Sequence, residues 1–471
     1  MVPAMTTAQS KLIASVQERF GPRAAATDVQ EIEPWLSDWR GKFHGKAAAI
    51  LQPGSTEEVA EIVSLAADLG VPLVPQGGNT GMVGGATPPE DGSALVLSLR
   101  RMNRLRSISA EDNRAIAEAG VILADLHDQS AAVGRRFPLT LGSRGSCSIG
   151  GLIATNAGGT QVLRFGTMRS LVAGVEAVLP DGSIHDGLTG LKKDNRGYSL
   201  DQLLIGSEGT LGVITAAALK LVPAIVARAV AWGGVSDPQA ALDLLRSLQA
   251  QSDNIEGFEI VPQDSLELVL NHIHGTRNPL SGQHPWHVLI EATSVDASED
   301  PRAKLERMLE SALGEGLIQD AAIAANEAQA EAFWRLRDSI SEAERASGFS
   351  VAHDISVAVA DMPRFMTSAA AEVESAFPGA KASAFGHLGD GNVHFHVRLE
   401  SGQAENASAI TRLVHDLVTA AGGSISAEHG IGQMKRDELE RLAPPGRLAA
   451  IRGIKHALDP NGIMNPGKLV R

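Results

Sequence analysis

The loop Pro75-Gln76-Gly77-Gly78-Asn79-Thr80-Gly81-Met82-Val83-Gly84-Gly85 constrains the fold of this chain more than any other feature. It follows an apolar run at 71–75 that reads as a short buried strand. Successive glycines admit positive φ and let backbone N–H groups converge on an anion. Two more loops of the same kind follow, at 141–159 and 205–212. Each alone reads equally well as a tight turn. Together they point to a long phosphate-bearing ligand held from several sides by backbone. The first loop is not a Walker A loop, since no Gly-Lys-Ser/Thr ends it. It is also a poor dinucleotide fingerprint: Gly78, Gly81 and Gly84 are spaced by threes, and no helix pattern follows.

The framework around the loops is legible in outline. Pro53-Gly54-Ser55-Thr56-Glu57-Glu58-Val59 opens a helix capped by Ser55 or Thr56, running to Leu69 and stopped by Gly70. A helix feeding the strand at 71–75 is an α/β signal. Further strands are expected at 94–99, 115–119, 172–179 and 211–221, and Pro223 marks a first boundary. Beyond it, helices at 238–251, 303–313, 325–346, 411–421 and 448–458 and strands at 258–261, 287–292 and 392–397 describe an α+β region with its own core. Alanine clusters at 46–49, 321–325 and 369–371 read as helix formers.

With 471 residues, the chain is long enough for two or three domains. A net charge of −14 argues against nucleic acid or anionic membrane as partner. Cys147 is the only cysteine, so no intrachain disulfide forms, which suits a cytoplasmic location. Residues 1–15 lack the apolar core of a secretory signal, and no apolar run is long enough for a membrane span.

Two C-terminal stretches carry the remaining chemistry. Gly386-His387-Leu388-Gly389-Asp390-Gly391-Asn392-Val393-His394-Phe395-His396 and Ser426-Ala427-Glu428-His429-Gly430-Ile431-Gly432 set four histidines and a carboxylate among glycines. Imidazole and carboxylate are ligands of a borderline divalent metal such as zinc. Period-2 alternation over 392–397 puts His394 and His396 on one face, with Val393, Phe395 and Val397 on the other. Direct binding of a substrate carboxylate by His387 and His394, without metal, is the alternative.

The loop at 75–85, the segment 142–159 and the segment 206–215 resemble the FAD-binding domain of the vanillyl-alcohol oxidase and p-cresol methylhydroxylase superfamily. The C-terminal motifs resemble its branch containing D-2-hydroxyglutarate dehydrogenase, D-lactate dehydrogenase and the glycolate oxidase FAD subunit. The resemblance implies an α+β chain: an N-terminal helical segment (1–41), a p-cresol methylhydroxylase-type FAD-binding domain (42–223), a substrate or cap domain (224–424), and a C-terminal segment (425–471) packing on the FAD domain. It implies FAD contacts from Pro75, Gly77, Gly78, Asn79, Thr80 and Gly81, with the pyrophosphate on the backbone of 77–81. It implies others from Gly142, Ser143, Ser148, Gly150, Gly151, Thr155, Asn156, Gly158 and Gly159, and from Glu208, Gly209, Ile214 and Asn465. The second segment holds Cys147 but no histidine, so the FAD is expected to be non-covalent.

The resemblance further implies that His387, His394 and Glu428 hold a zinc-like ion, that His429 takes the hydroxyl proton of a 2-hydroxy acid, and that the product is a 2-oxo acid. Trp334-Arg335-Leu336-Arg337-Asp338-Ser339-Ile340-Ser341 resembles the family segment whose second arginine grips a carboxylate, and Arg337 and Ser341, four apart, are expected on one helix face. Two positions depart from the 2-hydroxyglutarate pattern: Ala352 replaces a lysine and His396 an asparagine, with His396 or His353 as the expected substitute contact. D-2-hydroxyglutarate-like acids are favoured; a D-lactate or glycolate oxidising subunit and a non-catalytic flavin-binding protein are the alternatives. The electron acceptor is expected to be an electron-transfer flavoprotein or a quinone, with oxygen not excluded, and a homodimer is left open.

Overall fold

A computed structural model describes residues 5–400 and 403–471; residues 1–4 of the expected N-terminal segment lie outside it. Two compact units divide the chain. Unit 1 runs to Gly158 and takes in Gly166–Pro223 and Glu428–Arg471; unit 2 comprises Gly159–Phe165 and Ala224–Ala427. Gly159–Phe165 and residues 425–427 thus fall outside the FAD domain and C-terminal segment drawn from sequence. Long-range pairing decides this: Arg164 donates to Glu256 and Thr293, and Ala427 N donates to Asp354 O at 3.3 Å, all within unit 2.

Among the described residues, unit 1 holds two larger sheets and a two-stranded pair, Arg135–Arg136 with Val222–Pro223. The first orders its strands Ala25–Ala26, Ile50–Leu51, Leu95–Ser98, Leu73–Gln76, the last three mutually parallel. The helix Thr56–Leu69 begins where Ser55 Oγ accepts from Glu58 N and ends at Gly70, which takes φ +62°. It buries Val59, Ile62, Val63 and Ala66 in a core shared with Leu12, Val16, Leu73 and Leu95. Each fully buried aliphatic side chain there contributes roughly 1.5–3 kcal/mol. The second sheet is antiparallel, ordered Leu105–Ser109, Arg114–Glu118, Val213–Lys220, Val172–Val178, Ile184–Asp186. The C-terminal tail joins the first sheet: Leu73 N donates to Ile463 O and Asn465 N to Leu73 O, each at 2.8 Å.

The alanine clusters correct a propensity argument. Only 369–371 is helical, inside Met362–Ala376. Residues 46–49 are not helical; Lys46 is exposed, Ala47, Ala48 and Ala49 are buried and lead into Ile50–Leu51, and 321–323 lie in the strand Asp320–Ile323. Alanine's preference for helix is a few tenths of a kcal/mol, which close packing of a small side chain outweighs.

Unit 2 is built on a seven-stranded antiparallel sheet ordered Asp320–Ile323, Ala227–Val235, Trp286–Ser294, Ile255–Pro262, Lys381–His387, Asn392–Arg398, Ser350–Ser356. The helix expected over 325–346 is broken at Ser339 into Glu327–Asp338 and Ile340–Ser347. The strands Lys381–His387 and Ser350–Ser356 have no counterpart among the sequence expectations. Both mix small, polar and ionisable residues, so neither shows apolar alternation.

His287 illustrates the burial in this sheet. Trp232 Nε1 donates to its Nδ1 at 3.1 Å, and its Nε2 faces Gln263 Oε1 at 2.7 Å, so the neutral ring is fully used. Burial, and then the neighbouring His284, lower its pKa from 6.5 to about 4. Between those values the unfolded chain binds more protons than the folded one, so the stability is present above pH 6.5 and is lost as pH falls toward 4. The loss is on the order of 3 kcal/mol. Denaturant titrations at several pH values should show a smaller acid loss in His287→Gln than in wild type; equal slopes would remove His287 as the cause.

Candidate functional site

Unit 1 contains a cavity of about 630 Å³ walled by the three glycine loops, within the usual range for small-molecule pockets. At three glycines the loops and their neighbours meet with no room for a side chain. A Cβ on Gly77 would stand 2.1 Å from Ser148 Oγ, and one on Gly78 would stand 1.9 Å from the carbonyl oxygen of Ser146. One on Gly150 would meet Ala119 Cβ at 2.6 Å. Gln76 Nε2 closes the base of the first loop by donating to Trp35 O and Ala86 O. Ser148 Oγ is buried on the cavity wall with no protein partner among the described residues. A backbone-lined cradle with an orphaned hydroxyl fits a phosphate-bearing cofactor such as FAD.

Most of the residues expected to contact FAD line this cavity: Pro75, Gly77, Gly78, Asn79, Thr80, Gly81, Gly142, Ser143, Ser148, Gly150, Gly151, Thr155, Gly158, Glu208, Gly209 and Ile214. Three do not. Asn156 turns inward, its Oδ1 accepting from Thr167 Oγ1 and Arg169 N. Gly159 belongs to unit 2. Asn465 ties the tail down, its Nδ2 donating to Gly85 O at 2.9 Å and Glu208 O at 2.7 Å. Leu152 and Val213, within the motif segments but not singled out there, also line the cavity, as does Trp39, which no motif marks. Cys147 is on the wall, but burial pushes its thiol pKa up and keeps it neutral.

Glu428 and His429 complete the wall. Their segment is docked within unit 1: Gln433 N and Met434 N donate to Val83 O. From the other side, the Glu208 carboxylate accepts from Ile431 N and Gly432 N, both at 2.7 Å.

Unit 2 gathers the other candidates on one face of its sheet. Glu259 pairs in register with His387 across adjacent strands. Arg337, in the last turn of Glu327–Asp338, donates from Nε to Glu259 Oε2 at 2.8 Å and approaches His387 Nε2 from Nη2 at 3.1 Å. His387 Nδ1 lies 2.9 Å from Glu259 Oε1. Burial alone would raise the Glu259 pKa, but Arg337 and His387 hold it at about 2. The ring of His394 is 5.5 Å from that of His387. Burial, then Arg337 and His387, keep the His394 pKa well below the ordinary value. His394 offers a neutral imidazole of the kind a divalent metal takes, whereas Nε2 of His387 is engaged by Arg337 and would have to be released before it could bind one.

The alternation expected over 392–397 is present. Val393, Phe395 and Val397 are fully buried, while Phe385 packs beside both His394 and His396. His396 Nδ1 is held by the Glu344 carboxylate, a partner no motif announces. His353 is corrected: it pairs with Phe395 rather than with His396, and its ring bonds Phe395 O and Thr411 Oγ1, so it does not share the His396 face. Ser341 is exposed on the second helix, and the break at Ser339 separates it from the helix of Arg337.

Two family models match the chain in succession. Residues 47–187 match the model described as FAD binding domain, and 226–469 match FAD linked oxidases, C-terminal domain. The mitochondrial D-2-hydroxyglutarate dehydrogenase of Bos taurus is 38% identical, covering 96% of this chain and 82% of that protein. The D-2-hydroxyglutarate dehydrogenase of Xanthomonas citri pv. viticola is 36% identical, covering 97% of this chain and 96% of that protein. Among solved structures, p-cresol methylhydroxylase with substrate bound matches with a TM-score of 0.78 at 15% identity, over 99% of this chain and 98% of that one, a likeness of fold.

Proposed function

This chain belongs to the family of FAD-linked oxidases, and we propose that it oxidises a D-2-hydroxy acid to the 2-oxo acid, with D-2-hydroxyglutarate-like acids favoured. One observation carries the reading: His429 stands on the wall of the same cavity that the glycine loops build for FAD. Bound FAD supplies the two-electron acceptor for C2 of the acid.

The chain's own residues do the rest. Converging backbone N–H groups of the first loop hold the pyrophosphate without a charged side chain. Cys147, buried and neutral, leaves the cofactor non-covalent. His429 accepts the hydroxyl proton as C2 is oxidised. Arg337, oriented by Glu259, pairs with the substrate carboxylate. We assign a divalent ion, zinc by the imidazole and carboxylate ligands that the family resemblance implies, to His387, His394 and Glu428; such an ion would lower the pKa of a coordinated alcohol. An electron-transfer flavoprotein or a quinone is the proposed acceptor.

A second reading, a D-lactate or glycolate oxidising enzyme, is favoured by a specific feature. His396 is occupied by Glu344, and its strand neighbour is Ala352, so no lysine serves a distal carboxylate there. Anaerobic stopped-flow mixing with D-2-hydroxyglutarate, D-lactate and glycolate separates the readings by which acid bleaches the flavin fastest. Bleaching by none of them would reject the 2-hydroxy-acid reading. Chelation should abolish bleaching and zinc restore it; unchanged turnover after verified metal removal would reject the ion.

A further inference from the structure

We propose that Glu208 is a positioning residue for His429, a buried carboxylate clamp that holds the segment 428–432 against the FAD cavity. The inference rests on the reading of His429 as the base.

The clamp is specific in its geometry. Each carboxylate oxygen of Glu208 takes one backbone N–H, from Ile431 and from Gly432, at 2.7 Å. Charge-assisted bonds to backbone N–H groups are roughly twice as strong as neutral ones. The residue is 8% exposed, so water does not compete for these oxygens. Gly430 leaves just enough room, since a Cβ there would stand 2.9 Å from Glu208 Oε1. A glutamine in the same place has one acceptor oxygen and would turn an NH2 group toward the second N–H.

The backbone of Glu208 is itself unusual. It sits at φ +53°, a left-handed conformation that side chains other than Asn and Asp rarely adopt. Such a residue persists where its surroundings over-determine it. Here Glu208 N donates to Ala154 O at 2.8 Å, and Asn465 Nδ2 donates to Glu208 O. One residue therefore joins the second glycine segment, the third glycine loop, the C-terminal tail and the segment carrying His429. Burial raises the Glu208 pKa above the ordinary carboxylate value; the two N–H bonds, and then Lys435 and Lys468, 7% and 2% exposed, oppose that shift and favour the carboxylate. None of these contacts involves a residue that moves a proton, so the role is to fix where His429 stands.

The test compares Glu208→Gln, His429→Ala and the double variant in FAD-loaded enzyme. Because Glu208 also lines the FAD cavity, rates are read per bound flavin after reloading with FAD, and dithionite should reduce the reloaded Glu208→Gln variant as it does wild type. Its limiting rate of flavin reduction by the best acid of the panel should fall about 10- to 100-fold, the scale expected for a displacement of about 1 Å, with the half-saturating concentration little changed. Added to His429→Ala, it should cost nothing further, because the two act as a unit. Should Glu208→Gln not fold, Glu208→Asp, which keeps the carboxylate but shortens its reach by one methylene, should give the same split. Failure of either variant to reload with FAD, or a penalty that adds in full to that of His429→Ala, overturns the clamp. A wild-type rate in Glu208→Gln beside an impaired His429→Ala overturns the clamp alone. A wild-type rate in His429→Ala overturns the base reading itself.

Discussion

His429→Ala should remain yellow and lose about 10²- to 10⁴-fold in the rate at which a D-2-hydroxy acid bleaches its flavin, the usual contribution of a general base. Two features separate this from a structural defect. The segment is held by backbone: Ile431 N and Gly432 N on Glu208, and Gln433 N and Met434 N on Val83 O. Truncating the His429 side chain leaves all four bonds in place. The rest of the cavity wall, the glycine loops above all, is not touched by the substitution. Flavin content and dithionite reduction should therefore match wild type. Anaerobic stopped-flow traces of the flavin absorbance provide the measurement, and a variant bleached at the wild-type rate would remove His429 from the chemistry.

Gly78→Val is expected to abolish FAD binding. Any Cβ at this position meets the Ser146 carbonyl oxygen at 1.9 Å and its carbon at 3.0 Å. Both are backbone atoms, so no rotamer change relieves the overlap, and the first two glycine loops must separate. The cavity they share then loses the convergent N–H groups that would hold a pyrophosphate. Gly453→Ala, within the helix Pro445–Leu458 and with nothing within 4 Å of its Cβ, is the control and should be neutral or slightly stabilising. Flavin per protein after purification and reloading, with circular dichroism to confirm folding, reads the outcome. A folded Gly78→Val with full FAD would show that the loop contact is not what builds the site.

Local chemistry explains what could be read in advance. The helix Thr56–Leu69 was legible because Ser55 and Gly70 are strong end signals. The histidine face of Asn392–Arg398 was legible because strand alternation is geometric. The break at Ser339 was not, because 325–346 carries a continuous helical pattern with neither proline nor glycine to interrupt it. The alanines at 46–49 were misread because burial overrides a weak propensity.

By itself, the sequence determined that a glycine-lined cofactor cradle and a histidine–carboxylate chemistry share this chain, since glycine spacing and residue type express those needs locally. Only the tertiary structure decided which partner each ionisable group takes. Glu259 meets Arg337 and His387, Glu344 meets His396, and Glu208 meets the backbone beneath His429, across 78, 52 and 223 or more residues. It likewise turned His353 away from the face of His396. A buried charge must find its complement wherever the fold brings one, and that need leaves no mark on the residues beside it in sequence.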